Sequence, residues 1–544
     1  MSGAVNDLNE VVDLVENDGD DENYRKGFDP SPAGNTSQHA PKKRSRNETP
    51  TTHQRFCAPI RLFATDLDIN ARKENAEDMN HWSRTQCWTL REMIGVDHDP
   101  TDSSKHKPSI EWLVVGNYII DFEFLLNEIP ELLSVRRVVA FFGSAETSPQ
   151  PWKDASLDDC IVDTILLDPS QPPGASNPTA TAIPYGVHHS KFFLVGYADQ
   201  SLRIIIHTAN IRYDDIHCKA QAAFFQDFGL KSPENFTNVA NTCEFEEDLI
   251  DYLDSYRYTR LHKWTKSGSK TKSLGQFVRE YDFSSAKAVL VPSTPGYHRL
   301  DEKHRRGHWK MRQTIPSHTE APEEETICDP IVCQFSSIGS LTERYLLELQ
   351  TSMDMKQSRD RGRPGRLELS LKLVYPTVEE IRTSVEGYRG GGSVPGTMRN
   401  VGKPFLKRLF CRWSALSSSD MNPLWKGRNV PHMKTYFQTN STTETLHWFV
   451  LTSHNLSKAA WGEIQTSSRY GGRRLFVRHW ELGVFLSPQL LGASELLPWS
   501  SSERKRYSTE SKICTIPIPY DLYPKVYGQG DRPWAVDDER GEQI

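Results

Sequence analysis

The sequence predicts an α/β protein of two similar halves, each a sheet flanked by helices, behind a disordered N-terminal tail. Short apolar segments rich in β-branched and aromatic residues alternate with amphipathic segments of helical period, and this mixture restarts near residue 287. Strands that alternate with helices are typical of α/β sheets. We therefore predict a tail over 1–55, a first half over 56–284 and a second half over 285–544.

In the first half, the pattern predicts an early helix at 82–95 and further helices at 123–133 and 246–256. The strands of this half are predicted at 111–120, 135–143, 160–168, 191–197 and 202–209. In the second half, strands are predicted at 286–294, 331–335, 367–376, 446–453 and 480–486. Proline, serine and arginine content predicts surface loops at 168–182 and 353–366.

The tail carries two short segments with a possible role. Residues 1–24 hold eight Asp or Glu and no Lys or Arg. Within them, the apolar run Val11–Val15 with its acidic flank resembles segments that add a strand to ubiquitin-like modifiers, and a chance apolar patch is the alternative. The basic cluster 41–46 predicts nuclear import, with a solvated charge run as the alternative.

Composition excludes few functions. The net charge of −6 does not indicate nucleic-acid binding, although local basic patches can still line a binding groove. Nine scattered cysteines without a Cys-x-x-Cys pair predict reduced thiols and no zinc site. We find no long apolar segment that predicts membrane insertion.

The most informative pattern is a repeated triad of residue types. His189 and Lys191 are followed by Asn210 after 21 residues, and His432 and Lys434 are followed by Asn455 after 23 residues. Both intervals read as strand, turn and strand. Residues i and i+2 of a strand point to one face, so each His-Lys pair is expected to project together. Two such half-sites around one centre suit a phosphodiester, because imidazoles can attack phosphorus and move protons while ammonium and amide groups hold anionic oxygens.

The paired His-x-Lys motif resembles the phospholipase D superfamily. The usual aspartate five residues after the lysine is replaced by Gly196 and Thr439, and the downstream Asn is that of the tyrosyl-DNA phosphodiesterase family. Further segments match that family in order, among them YGVHHSKFFL, QFSSIGSL, PHMKTYF, TSHNLSKAAWG and ELGVFL, across residues 111 to 536. The resemblance implies two phospholipase D-like halves related by a pseudo-twofold axis, with the active site at their interface.

The resemblance also implies roles for individual residues. His189 would be the nucleophile and His432 the general acid and base, each supported by Gln221 or Glu481, with no metal or cofactor. His188 and His207 are expected to be structural. Tyr185 would stack on a base. Residues expected to contact DNA phosphates are Gly186, Ser336, Ser337, Ser340, Gly392, Ser457 and Lys458, and those expected on the peptide side are Tyr118, Pro395 and Trp534.

The expected function is removal of a tyrosine or peptide, such as a topoisomerase I remnant, from a DNA 3′ phosphate through a phosphohistidine. Other 3′ blocking groups are plausible substrates. The alternatives are another superfamily phosphodiesterase, either a nuclease or a lipid-cleaving enzyme, and a noncatalytic nucleic-acid scaffold. Because both half-sites lie in one chain, we expect a monomer with no membrane partner, located in the nucleus.

Overall fold

Two mixed β-sheets organise the computed structural model, which describes residues 55–73, 86–97, 107–157, 159–232, 243–258, 273–320, 329–355, 368–413, 428–467, 471–499 and 512–538. The predictions for Val11–Val15, the basic cluster 41–46 and most of the loop 353–366 lie outside these residues. The α/β fold class is confirmed. The strands of one sheet fall between residues 60 and 228 and those of the other between 289 and 486, while the exact boundary at 284 stays a prediction.

The first half contains ten strands and seven α-helices among its described residues. The strands are β1 (Arg55–Cys57), β2 (Ile60–Phe63), β3 (Cys87–Trp88), β4 (Ile110–Asn117), β5 (Arg137–Phe142), β6 (Ile161–Leu166), β7 (Phe192–Tyr197), β8 (Leu202–His207), β9 (Lys219–Ala220) and β10 (Ala222–Phe228). The helices are α1 (Asp66–Lys73), α2 (Leu90–Ile94), α3 (Phe122–Glu128), α4 (Gln150–Ala155), α5 (Tyr213–His217), α6 (Glu244–Asp254) and α7 (Leu274–Val278), with a 3₁₀ turn at Pro130–Ser134.

The second half contains thirteen strands and six α-helices among its described residues. The strands are β11 (Val289–Ser293), β12 (Gly296–Arg299), β13 (Ile331–Gln334), β14 (Leu371–Val374), β15 (Phe410–Cys411), β16 (Val430–Pro431), β17 (Thr435–Asn440), β18 (Thr445–Thr452), β19 (Glu463–Thr466), β20 (Arg473–Val477), β21 (Glu481–Leu486), β22 (Glu495–Pro498) and β23 (Ile513–Ile516). The helices are α8 (Gly307–His318), α9 (Glu343–Met353), α10 (Val378–Arg382), α11 (Met398–Val401), α12 (Lys458–Trp461) and α13 (Pro488–Leu491), with 3₁₀ turns at Gly387–Ser393 and Pro404–Leu406.

The two large sheets have the same topology. The first runs β3-β2-β10-β8-β7-β4-β5-β6 and the second β11-β21-β18-β17-β13-β14-β15. When β7 is matched to β17, all seven strands of the second sheet find a counterpart in the first. Neighbouring strands then pair in the same way in both sheets: antiparallel from β2 or β11 as far as β4 or β13, then parallel. Only β3 lacks a counterpart in the described part of the second sheet. The duplication inferred from the motifs therefore extends to the whole sheet.

Alternation along the strands places one face of each sheet in a shared core. Val114 and Phe192 of the first sheet belong to the same buried apolar cluster as Phe437 and Leu451 of the second. The opposite faces pack under helices in two separate clusters, one for each half. Each fully buried side chain of this kind contributes about 1.5–3 kcal/mol, so the shared cluster holds the halves together firmly.

Three small pairings outside the large sheets were not predicted. Strand β1 pairs in parallel with β23, which joins the first described residues to the C-terminal region. Strand β9 of the first half pairs in parallel with β16 of the second, and β12, β20 and β19 form a separate sheet. The predicted helix at 82–95 is wrong in its first part: β3 precedes Thr89, which caps the shorter helix α2.

Candidate active site

His189 is held by the other half of the molecule. Its backbone N–H donates to the carbonyl of Trp480 at 2.9 Å, and the Trp480 N–H donates to Val187 at 3.0 Å. This pairing brings the next residue, Glu481, to the imidazole, where Oε2 lies 2.9 Å from Nδ1 of His189. Because Nδ1 is engaged, Nε2 is the nitrogen that remains for chemistry.

His432 is held in the same way with the halves exchanged. Its backbone N–H donates to the carbonyl of Ala220 at 3.2 Å, beside the pairing of β9 with β16. The next residue, Gln221, places Nε2 2.7 Å from Nδ1 of His432. Each half therefore supplies the residue that orients the histidine of the other half.

A hydroxyl group fixes each orienting side chain. Thr208 donates to Oε1 of Gln221 at 2.7 Å, and Ser453 donates to Oε2 of Glu481 at 2.5 Å. These two residues were not predicted. Each stands two positions before the motif asparagine. Alignment of His-Thr-Ala-Asn with Thr-Ser-His-Asn places a hydroxyl residue at this position in both halves, which could have indicated their shared role.

The sequence pattern predicted that the His-x-Lys motifs lie on strands, but they lie outside regular strands. They come directly before β7 and β17, because their extended backbone pairs with the opposite half. Lys191 Nζ donates to the carbonyl of His189 at 2.9 Å, and Lys434 donates likewise to the carbonyl of His432. Both ammonium groups are buried beside their own histidine.

The two motif asparagines have different surroundings. Oδ1 of Asn455 accepts the backbone N–H groups of Ser336 at 3.2 Å and Ser337 at 2.9 Å, so its Nδ2 is left to donate. Asn210 receives support through its backbone, whose N–H donates to Asp215 at 2.8 Å. Its side-chain Oδ1 is buried without a hydrogen-bond partner in the described residues.

Burial and the two ammonium groups depress the histidine pKa values. The pKa of His189 falls to about 4, against the opposing effect of Glu481, and that of His432 lies well below its ordinary value. Burial also lowers the pKa of Lys191 to about 8 and that of Lys434 well below its ordinary value. Both lowered pKa values favour the neutral imidazole near neutral pH, and a nearby negative charge favours the protonated form.

Glu481 remains ionised despite complete burial. Burial opposes its charge, but the electrostatic interaction with His189 and the hydrogen bonds of His189 and His479 outweigh burial and hold the Glu481 pKa well below its ordinary value. His479 Nδ1 lies 3.2 Å from the second oxygen, Oε1. The carboxylate is thus a fixed anion between two imidazoles and one hydroxyl.

The two histidines expected to be structural are both buried in the first half. His188 bonds to the carbonyl of Asn117 at 3.0 Å and to the Tyr256 hydroxyl at 2.9 Å. His207 stacks on Phe193 with ring centroids 5.2 Å apart, but neither of its nitrogens has a hydrogen-bond partner in the described residues. The structural role expected of both residues agrees with their burial, although the ring nitrogens of His207 are not satisfied.

Tyr185 and Gly186 form a turn at the edge of the first half-site. Tyr185 is 85% exposed and has a left-handed φ of 60°, which is uncommon for a bulky residue. A Cβ at Gly186 would lie 2.6 Å from Cγ of Pro169, so only glycine fits this turn. Arg478 anchors the turn from the other half by donating to the carbonyl of Pro184 at 2.8 Å.

Three of the four serines expected to contact DNA cluster around Asn455. Ser336 and Ser337 bond to its side chain, and Ser457 bonds to its carbonyl at 2.8 Å. Ser340 lies farther along the same loop and accepts from Lys403 at 3.1 Å. Lys458 is ion-paired with Glu463 and lies over the Tyr345 ring, so its ammonium group is already neutralised.

The residues expected on the peptide side occupy two places. Tyr118 lies beside His189, with ring centroids 5.6 Å apart. Trp534 is buried and donates to the carbonyl of Gly391 at 3.1 Å, so it packs beneath the loop that exposes Gly392 and Pro395. Tyr118 is therefore brought to the site directly, and Trp534 supports a loop.

The part of the chain that the structure describes shows no metal cluster, disulfide or membrane-spanning helix. No group of three or more His, Cys, Asp or Glu side chains there is arranged to hold a metal ion. None of the eight described cysteines forms a disulfide. None of the described helices is both long and apolar enough to span a membrane.

The chain is similar to known proteins over most of its length. A family model described as tyrosyl-DNA phosphodiesterase matches residues 84–528. The chain is 29% identical over 532 residues to tyrosyl-DNA phosphodiesterase 1 of Arabidopsis thaliana, covering 92% of this chain and 78% of the relative. It is 29% identical over 426 residues to a probable tyrosyl-DNA phosphodiesterase of Caenorhabditis elegans, covering 77% and 80%.

The fold is also found in solved structures. The crystal structure of the yeast tyrosyl-DNA phosphodiesterase matches with a TM-score of 0.58 and 15% identity, covering 88% of this chain and 99% of the yeast chain. At this identity the likeness concerns the fold alone. The family model spans most of the chain and includes both His-Lys-Asn sets, and the chain therefore belongs to the tyrosyl-DNA phosphodiesterase family.

Proposed function

We propose that this protein is a DNA repair phosphodiesterase that hydrolyses the bond between a tyrosine and a DNA 3′ phosphate. The observation that carries the proposal is the reciprocal support of two buried histidines, each oriented by a side chain from the other half and flanked by a lysine. Such a site offers one nucleophile, one proton carrier and fixed cations for a phosphoryl group.

In the first step, the Nε2 lone pair of neutral His189 forms a bond to phosphorus. The bond from phosphorus to the tyrosine oxygen breaks, its electron pair goes to that oxygen, and His432 transfers its Nε2 proton there. The lysines and the Asn455 amide hold the nonbridging oxygens. The immediate products are free tyrosine or peptide and a DNA 3′-phosphohistidine.

In the second step, neutral His432 takes a proton from water as the water oxygen bonds to phosphorus. The bond between phosphorus and His189 Nε2 breaks, and its electron pair returns to the nitrogen. The products are a 3′-phosphate strand, neutral His189 and protonated His432. Because Glu481 is ionised, it stabilises the positive ring that His189 carries as a phosphohistidine.

The proposed partners extend beyond DNA. A topoisomerase I peptide is the proposed leaving group, and other 3′ blocks are proposed substrates because the site grips phosphate. A single chain with both half-sites supports a monomer. The basic cluster at 41–46 supports a nuclear location, and Val11–Val15 is a proposed contact for a ubiquitin-like modifier.

The test is single-turnover cleavage of a 3′-phosphotyrosyl oligonucleotide in EDTA by the wild type, His432→Ala and His189→Ala. We expect the wild type to release a 3′-phosphate strand, His432→Ala to react about 10²- to 10⁴-fold more slowly and accumulate a covalent protein–DNA species, and His189→Ala to be inert. A wild type that is inactive in EDTA and revives with a divalent metal contradicts the proposal. Release of choline from a labelled phospholipid would favour the lipid-cleaving alternative.

A further inference from the structure

The two half-sites differ at the fifth position after each motif asparagine. In the first half this position is Asp215, which is 2% exposed, and in the second half it is the buried Ala460. The matched sheets, and the equivalent bridges of Ile211 and Leu456, establish the equivalence of the two positions. A buried carboxylate therefore stands at this position in the first half only, and burial of a charge is costly unless nearby groups compensate it.

Asp215 contacts three parts of the site. Its Oδ2 accepts the backbone N–H of Asn210 at 2.8 Å and lies 3.5 Å from Nδ1 of His432, which is an ion-pair distance. Its Oδ1 lies 3.3 Å from Nζ of Lys219. The carboxylate therefore stands beside the same imidazole nitrogen that Gln221 contacts.

Gln221 by itself does not balance a charge on His432. Its amide is held by Thr208 and is neutral, so it orients the ring without stabilising the imidazolium. In the other half-site, Glu481 combines both properties for His189. The first half divides them between two residues, an amide for orientation and a nearby anion.

We propose that Asp215 is a positioning residue that stabilises the protonated form of His432, and thereby makes it the acid of the first step. This inference rests on the proposed function of the same site. The carboxylate acts through Nδ1 of His432 and touches neither the phosphate nor the leaving group.

Other charged groups near Asp215 also influence the protonation of His432. Lys219 faces it but also pairs with Asp214 at 2.9 Å and Glu386 at 3.2 Å, so Lys219 does not neutralise Asp215 alone. Besides burial, the charges of Lys434, Lys191, Lys219 and His189 all lower the pKa of His432 and so oppose the effect of Asp215. Asp215 is the carboxylate nearest to His432 among the described residues.

The test compares two leaving groups on one enzyme. The full-length wild type, Asp215→Asn and Asp214→Asn are mixed with oligonucleotides that carry a 3′-phosphotyrosine or a 3′-(4-nitrophenyl) phosphate. Nitrophenolate leaves without a proton, so its release does not need His432 as an acid. Asparagine at 215 can still accept the Asn210 N–H, and Asp214→Asn is the matched control because Asp214 also binds Lys219 without a contact to His432.

We expect Asp215→Asn to slow tyrosine release at least tenfold relative to nitrophenol release, and to accumulate the covalent species with the nitrophenyl substrate because His432 is also the base of the second step. Asp214→Asn should leave the ratio of the two rates within about threefold of the wild type. The ratio does not depend on how much of each variant is folded. Equal slowing of both substrates by Asp215→Asn, or none, overturns the inference. An inactive wild type contradicts the proposed function itself.

Discussion

The two half-sites share a scaffold but differ in chemistry. Thr208, Gln221 and His432 form one chain of contacts, and Ser453, Glu481 and His189 form the equivalent chain. An amide stands in the first where a carboxylate stands in the second. The difference teaches that topology sets where each group lies, while residue type sets its chemistry. In the proposed mechanism the carboxylate stands beside the ring that becomes a cationic phosphohistidine, and the amide stands beside the ring that exchanges a proton.

The largest expected effect comes from making the two half-sites alike. Glu481→Gln removes the anion that fixes the tautomer of His189 and stabilises its phosphorylated ring, so formation of the covalent species should slow about 10²- to 10⁴-fold. Gln221→Glu should slow the same step less than about tenfold, because it keeps a group that contacts Nδ1 of His432. Single-turnover rates measure both, and equal losses would contradict the assignment of roles.

The second prediction concerns the core behind the half-sites. His207 and Thr452 occupy equivalent positions three residues before the motif asparagines. Burial and Lys191 lower the His207 pKa to about 3, so an unfolded chain binds a proton below pH 6.5 that the folded chain does not. The folded protein therefore loses stability as pH falls from 6.5 toward 3, by about 2 kcal/mol from this residue between pH 7 and pH 5.

His207→Thr copies the second half and should remove that loss. Urea unfolding at pH 7 and pH 5 measures the free energy of unfolding for both proteins. The loss of unfolding free energy between pH 7 and pH 5 should be about 2 kcal/mol smaller in the variant. A cavity left by the substitution lowers stability equally at both pH values and so cancels in this difference. An unchanged difference would show that His207 is not the acid-sensitive group.

The smallest effect concerns the two lysines. The pKa of Lys191 is lowered to about 8, so its cationic form is lost as pH rises through that value. Affinity for an oligonucleotide with a 3′ phosphate should therefore fall about tenfold between pH 7 and pH 9 at constant ionic strength. Lys191→Arg keeps its charge and should flatten this decline, and Lys434→Arg should do the same for the other half-site. A decline equally steep in both variants would place the titrating group elsewhere.

Much of the fold could be predicted because its signals are local. Apolar segments such as 202–209 and 480–486 predicted strands, and the repeated spacing from His to Asn predicted the duplication. The helical period at 246–256 likewise predicted α6. These patterns depend on neighbours within about ten residues, which a single sequence displays.

The missing parts depend on contacts between distant residues. Nothing near Arg55–Cys57 indicates that this strand pairs with residues 513–516, and nothing near Asp215 indicates that its carboxylate stands beside His432. The depressed pKa of His189 arises mainly from burial, with smaller contributions from its neighbour Lys191 and from the sequence-distant Lys434. Composition could not foretell these values, because they are properties of the assembled interface.

The exchange of orienting residues between the halves has a consequence for failure. A phosphodiesterase that completed its first step but not its second would remain attached to the strand end it was meant to clear. Here any opening of the interface separates His189 from Glu481 and His432 from Gln221 together. A molecule whose interface is open before it meets a strand end therefore loses both steps together and does not become attached to the DNA.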